Sequence, residues 1–233
     1  MEKVNDKLNM NYVEARGRII GSYVDNEGRK KITLHIRGAR QRKGTYLSFA
    51  IKDGIETNFK LQDNVFIKGY LMAYRRNSEL WTVVKPFDQT LVAEEIIVEK
   101  PEIEEVFGIK GGFSYKEPYV KLYLSGTVIE TENLNNSKWN IITLRVENDG
   151  FKPYEIRVQY SRNMRVNDNK INVGDKVAII AIIVSAKKEY KVNSRINDSK
   201  NENGERTVIK YFENIIINDL VFIEKTKAEE AAK

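Results

Sequence analysis

The chain of 233 residues is 41% hydrophobic, carries 39 basic against 33 acidic side chains for a net charge of +6, and has no cysteine. The missing cysteine excludes disulfides, thiolate nucleophiles and thiolate metal sites together. The basic balance suits an anionic partner without identifying one, and the length suits one or two domains, of which two small ones are the working expectation. The N-terminal segment has no apolar run resembling a signal sequence, and no stretch approaches the ~20 apolar residues of a membrane span. A cytoplasmic protein with no membrane contact is expected.

Short alternating runs rich in Val, Ile, Tyr and Thr predict an all-β chain. In order, the first half offers ARGRIIGSYV (15–24), KITLHIR (31–37), TYLSFAI (45–51), NVFIKGYLMAY (64–74), ELWTVV (79–84) and LVAEEIIVE (91–99). Side chains alternate across a strand, which sends Ile32, Leu34 and Ile36 inward and leaves Thr33, His35 and Arg37 outside. By the same parity Leu47, Phe49 and Ile51 turn inward, and Tyr46 and Ser48 outward. In the fourth run Val65, Ile67, Gly69 and Leu71 form the inner face, while Phe66, Lys68, Tyr70, Met72 and Tyr74 form an outer ladder followed by Arg75 and Arg76.

Residues 100–118, KPEIEEVFGIKGGFSYKEP, have two prolines, a Gly pair and little alternation, which predicts a linker. Residues 1–92 hold 17 basic and 10 acidic side chains, and residues 93–110 hold two basic and six acidic, so the basic surface belongs mainly to the first half. Beyond the linker the pattern repeats after roughly 110 residues, the period of a duplicated domain. ARGRIIGSYV answers YLSGTVIETE (123–132), KITLHIRG answers IITLRVEN (141–148), LQDNVFIKGYLMA answers INVGDKVAIIAIIVSA (171–186), and AEEIIVEK (93–100) answers NDLVFIEK (218–225). The expected organisation is an N-terminal domain at 1–100, a linker at 101–118, a C-terminal domain at 119–225 and a tail at 226–233, with KTKAEEAAK (225–233) the best helical candidate. Each domain has about five strands, with Gly17 and Gly126 inside the first. That suits two tandem five-stranded antiparallel barrels of the OB kind, a flat sandwich being the alternative.

The first copy resembles the bacterial single-stranded DNA-binding protein family. NYVEARGRI (11–19) is similar to that family's opening Asn-x-Val-x-x-x-Gly-Arg-Leu strand, LQDNVFIKGYL (61–71) to its Gly-Asp/Ser-x-Val-x-Val-x-Gly-x-Leu segment, and LVAEEIIV (91–98) to its closing strand. The likeness covers most of residues 10–99, with a weaker echo in 120–225. It departs from the family in carrying two domains and in ending on TKAEEAAK rather than an acidic tail with an apolar tip. The resemblance implies a non-enzymatic single-stranded DNA-binding protein of a replication or recombination system.

On an OB barrel a single strand crosses strands two and three, where aromatics stack on bases and cations meet phosphates. The residues of those types in the first copy are His35, Arg37, Arg40, Arg42, Lys43, Tyr46, Lys68, Tyr70, Tyr74, Arg75, Arg76 and Trp81. In the second copy they are Trp139, Arg145 in the place of His35, Arg157, Arg162, Arg165, and Lys187, Lys188 and Tyr190 on a long hairpin. Phe66 and Met72 are expected to pack rather than bind. The run VAIIAIIV, apolar on both parities, is expected to press on the first copy or on a second chain. His35 is the only histidine, so no His-rich metal site is expected, and no phosphate loop or catalytic motif is present. Neither a cofactor nor a metal is expected. Single-stranded RNA, or a protein interface in a homo-oligomer, remains the alternative occupant of the aromatic ladder.

Overall fold

The computed structural model describes residues 9–25, 27–37, 44–75, 87–106, 109–114, 116–133, 137–148, 151–164, 170–193 and 205–226. Among them β1 (Asn11–Val24), β2 (Lys30–Ile36), β3 (Thr45–Ile51), β4 (Asn64–Arg75) and β5 (Phe87–Val98) close into a barrel. Its order is β1–β2–β3–β5–β4 and back to β1, every pairing antiparallel except β3 with β5. The inward parity read from the sequence fills it: Val13, Ala15, Ile32, Leu34, Leu47, Phe49, Val65, Ile67 and Ala93 are fully buried.

The second half repeats this wiring. β8 (Tyr119–Asn133), β9 (Trp139–Asn148), β10 (Phe151–Ser161), β11 (Lys176–Asn193) and β12 (Glu205–Glu224) close as β8–β9–β10–β12–β11 and back to β8, with β10 and β12 parallel. Both are five-stranded Greek-key barrels of the OB type, and their registers match in detail. A bulge falls after Ile19 in β1 and after Val128 in β8. The turn before β4 and the turn before β11 put Gln62 and Gly174 at positive φ, with Asp63 accepting the Lys60 amide at 2.7 Å and Asp175 that of Asn172 at 2.8 Å. One pairing shifts from the sequence alignment. The registers set Ala93 opposite Gly69 and Ile217 opposite Ala181, so Ala93 corresponds to Ile217 rather than to Asn218.

The first strand of each barrel is where the two meet. β1 pairs antiparallel with β8 from Asn11 opposite Leu124 to Arg16 opposite Tyr119. Val13 and Leu122, each four residues before the equivalent glycines, face one another, so a local twofold relates the barrels about this pair. Six strands thus run continuously as β5–β4–β1–β8–β11–β12. Asn11 secures the end of β1, its side chain accepting from the Leu71 amide at 3.1 Å and donating to the Leu71 carbonyl at 2.9 Å. Each barrel also reaches its neighbour: β4 lies against β10, and β11 against β3.

Three expectations change. The segment read as a linker carries a hairpin, β6 (Glu102–Val106) with β7 (Ile109–Ser114). Ile103 stands opposite Phe113 and Val106 opposite Ile109, but a register shift after Ile103 breaks the parity that would have revealed a strand. The doubly apolar run becomes β11 with Val177, Ile179, Ala181 and Ile183 inward, and on its outer parity Ile180 stays 36% exposed. The strand touches the first barrel farther along, near Ser185, where its Oγ accepts from the Tyr46 amide at 3.1 Å. Met72, expected to pack, is 45% exposed, whereas Phe66 lies under the Arg16 guanidinium at 5.1 Å. ELWTVV and residues 227–233 of the tail helix candidate fall outside the described residues.

The glycines of β1 and β8 sit where the strand passes close beneath its neighbour. A Cβ on Gly17 would lie 2.8 Å from the His35 carbonyl oxygen and 2.9 Å from Ile36 Cγ1, and one on Gly126 2.6 Å from the Arg145 carbonyl oxygen. Backbone cannot yield as a flexible side chain does. Gly17→Ala and Gly126→Ala should each destabilise the fold by about 1–3 kcal/mol, read as a lowered urea midpoint with an unchanged slope.

Candidate nucleic-acid interface

The outer face of β2 and β3 holds the first group of expected residues. His35 stands opposite Tyr46, and their rings stack with centroids 4.9 Å apart at 20°. Tyr46 nevertheless keeps 48% of its surface open. Half-exposed Thr33 and Ser48 follow on the same face, their hydroxyls 3.2 Å apart. Arg18 stands across from His35 on β1, and Tyr23, 47% exposed, across from Lys31. Arg37 is exposed just past the end of β2. Tyr23 lies beyond the bulge after Ile19, which resets the side of β1 that faces out and hides it from simple parity; Arg18 lies before the bulge on the ordinary outward parity, and its place in the Gly-Arg pair was a further signal.

The turn joining β1 to β2 is organised by Asp25. Its carboxylate accepts the amides of Glu27 at 2.9 Å and Arg29 at 3.0 Å, and pairs with Arg29 at 2.9 Å and Lys31 at 3.0 Å. Desolvation opposes its charge, but the Arg29 amide and the Lys31 and Arg29 side chains outweigh that and hold the carboxyl well below its ordinary range. The turn therefore fixes Lys31 at the rim of the face.

The ladder of β4 lies elsewhere. In the barrel order β4 is separated from β3 by β5 and from β2 by β1, so Lys68 and Tyr70 do not share a face with Tyr46. Their side is the outer face of the six continuous strands, and its charges are engaged. Lys68 pairs with Glu95 at 2.8 Å and Arg16 with Glu99 at 2.8 Å, while Glu14 accepts from the hydroxyls of Tyr12 at 3.1 Å and Tyr119 at 3.2 Å. Burial, then the Glu14 carboxylate, pushes the Tyr12 hydroxyl up to about 12. Such a surface is internally compensated.

In the second barrel the registers give each position of the first face its counterpart. Arg145 replaces His35, as the sequence alignment indicated, and across from it Glu155 replaces Tyr46. Arg157 replaces Ser48 and pairs with Glu132, which stands where Tyr23 does. Glu130 accepts from the Thr143 hydroxyl at 3.1 Å. Trp139 opens β9 opposite Ser161, half-buried, and Arg162 beyond it donates from Nε to Asn140 at 3.3 Å. The stacking pair of the first barrel has no equivalent here.

The remaining expected residues are partly placed. Tyr74 and Arg75 end β4 opposite Asp88 and Phe87. Lys187, Lys188 and Tyr190 lie on the β11–β12 ribbon opposite Tyr211, Lys210 and Val208, and this ribbon is paired out to Asn193 and Glu205. Arg40, Arg42, Lys43, Arg76, Trp81 and Arg165 fall outside the described residues. Among the described residues no group of three His, Cys, Asp or Glu side chains is placed to hold a metal ion, and no helix is long and apolar enough to cross a membrane.

The chain is similar to the single-stranded DNA-binding protein from Thermus aquaticus, at 12% identity over 94% of this chain and 96% of that one, with a TM-score of 0.49. A deletion mutant of that protein aligns at 13% identity over 95% and 98% of the two chains, also at 0.49. No protein-family model and no curated protein matches the sequence.

The lowered Asp25 carboxyl makes the rim of the β2–β3 face acid-sensitive. A carboxylate held below its ordinary value contributes stability above that value and loses it as pH falls towards the lower one. Amide exchange at Arg29 should accelerate once the pH drops below about 4, beyond the intrinsic pH dependence, and Asp25→Asn should show the faster exchange already at neutral pH.

Proposed function

We propose that the chain is a single-stranded DNA-binding protein, non-enzymatic and largely indifferent to sequence, that protects and organises unpaired DNA in cytoplasmic replication or recombination. The observation that carries this is the exposed Tyr46 ring already stacked on His35, with Arg18 and Arg37 on the same side of the barrel. An aromatic face held in place by a neighbouring ring offers a platform to any base, since every base has a π face. The cations beside it meet phosphates without reading sequence. The β4 ladder is the weaker candidate, because it lies on another side of the barrel from Tyr46 and its Lys68 is paired with Glu95.

A second reading, a protein interface, rests on the other surface. Ile97, Met72, Ile180 and Val221 are exposed by 42%, 45%, 36% and 60% on the outer face of the six continuous strands. Exposed apolar groups of that extent suit self-association.

The deciding experiment is intrinsic tryptophan fluorescence during titration with a thymine oligonucleotide of about 30 nucleotides, with RNA and duplex competitors. Saturable quenching should weaken with salt, with a log–log slope of about −0.7 per phosphate neutralised. Duplex should compete poorly, and equal competition by RNA would make the partner any single strand. Tyr46→Ala should lower affinity by about 1–3 kcal/mol, the worth of one stacked base, with thermal stability nearly unchanged because the side chain is exposed. No quenching at low salt, together with a concentration-dependent oligomer in sedimentation, would favour the interface reading.

A further inference from the structure

We infer that the two barrels are not two copies of one binding site: the strand is taken by the β2–β3 face of the first barrel, and the corresponding β9–β10 face of the second is closed to it by its own carboxylates. The inference rests on the single-strand reading above and adds where on the chain binding occurs.

The argument is a position-by-position comparison that the matched registers make possible. On the first face the charged outward positions are Arg18, Lys31 and Arg37, with His35 and Tyr46 between them and no carboxylate in the set. Lys31 pairs with Asp25 at the rim. The equivalent positions of the second barrel carry two arginines, Arg145 and Arg157, against four carboxylates, Glu130, Glu132, Glu147 and Glu155.

Each arginine there has an acidic neighbour set by the backbone. Arg157 is bound to Glu132, and Arg145 stands directly across the strand pair from Glu155. Directly opposed charges in a sheet attract, so a phosphate arriving at this face meets arginines already compensated and the surplus carboxylates repel it. The aromatic partner is lost as well, since Glu155 stands where a base would find Tyr46. A shared fold does not imply a shared site.

What the second barrel supplies instead is support. β8 covers the edge of β1 beneath the binding barrel, and β11 runs on to β3, where Ser185 accepts the backbone amide of Tyr46 itself. The C-terminal barrel thereby holds the stacking residue's strand in place.

The test compares the two faces in the full chain. With the thymine oligonucleotide at low salt, Tyr46→Ala should weaken binding by roughly 5- to 150-fold, whereas Arg145→Ala should change it by less than about twofold. Iodouracil-substituted oligonucleotide, cross-linked by light and mapped by mass spectrometry, should mark peptides of β2 and β3 and spare Trp139 and the β9–β10 peptides. Thermal unfolding of each variant separates lost folding from lost contact. An Arg145→Ala loss as large as that of Tyr46→Ala in a folded protein, or cross-links on β9 and β10, would overturn the inference. Failure of the unmodified chain to bind any single strand would instead overturn the reading on which it rests.

Discussion

The antiparallel pairing of β1 with β8 is the constraint on which the remainder depends. A five-stranded barrel has a long first strand that must serve two partners, and its leading half leaves one edge unsatisfied. Exposed edges invite uncontrolled pairing. Here the two barrels of one chain satisfy each other's edges, with Val13 facing its own counterpart Leu122. Because the pairing is symmetric about that point, whatever one barrel does to its neighbour is returned: β4 reaches β10, and β11 reaches β3.

That geometry divides the surface in two. The continuous six-stranded face collects the ladder of Phe66, Lys68 and Tyr70, and there ion pairs and the Tyr12–Glu14–Tyr119 hydrogen bonds satisfy the polar groups. The β2–β3 face keeps the Tyr46 ring open, although β11 of the second barrel reaches its edge at the Tyr46 amide. The second barrel keeps the glycine, the bulge and the aspartate turn that make the fold, and it exchanges the outward residues, which the fold does not specify.

The opening motif shows how fold and surface requirements interleave within one strand. Asn11 clamps Leu71 through both of its amide groups, Val13 sits at the local twofold, Gly17 admits the passing backbone of His35, and Arg18 alone points to the candidate face. With Ile19 fully buried at the fifth position, four of the five signature residues are architectural. Resemblance built on such residues speaks to the barrel more directly than to its ligand.

The sequence by itself determined the main barrel strands, the inward parity of β2, β3 and β4, the internal repeat and the OB class, because alternation and repeated turn chemistry are local properties that survive without knowledge of neighbours. It also singled out Tyr46 and His35 as outward-facing and Arg145 as the counterpart of His35. Only the tertiary structure decided that Lys68 and Tyr70 lie on a different side from Tyr46, since barrel order is not written in any one strand. It likewise set Arg18 across from His35, brought in Tyr23, whose direction depends on a bulge, and set Glu155 and Glu132 against the arginines of the second barrel. Register, which a one-residue slip inverts, is a property of pairs of strands. The choice between a cationic aromatic face and a self-neutralised one was therefore legible only once the strands were paired.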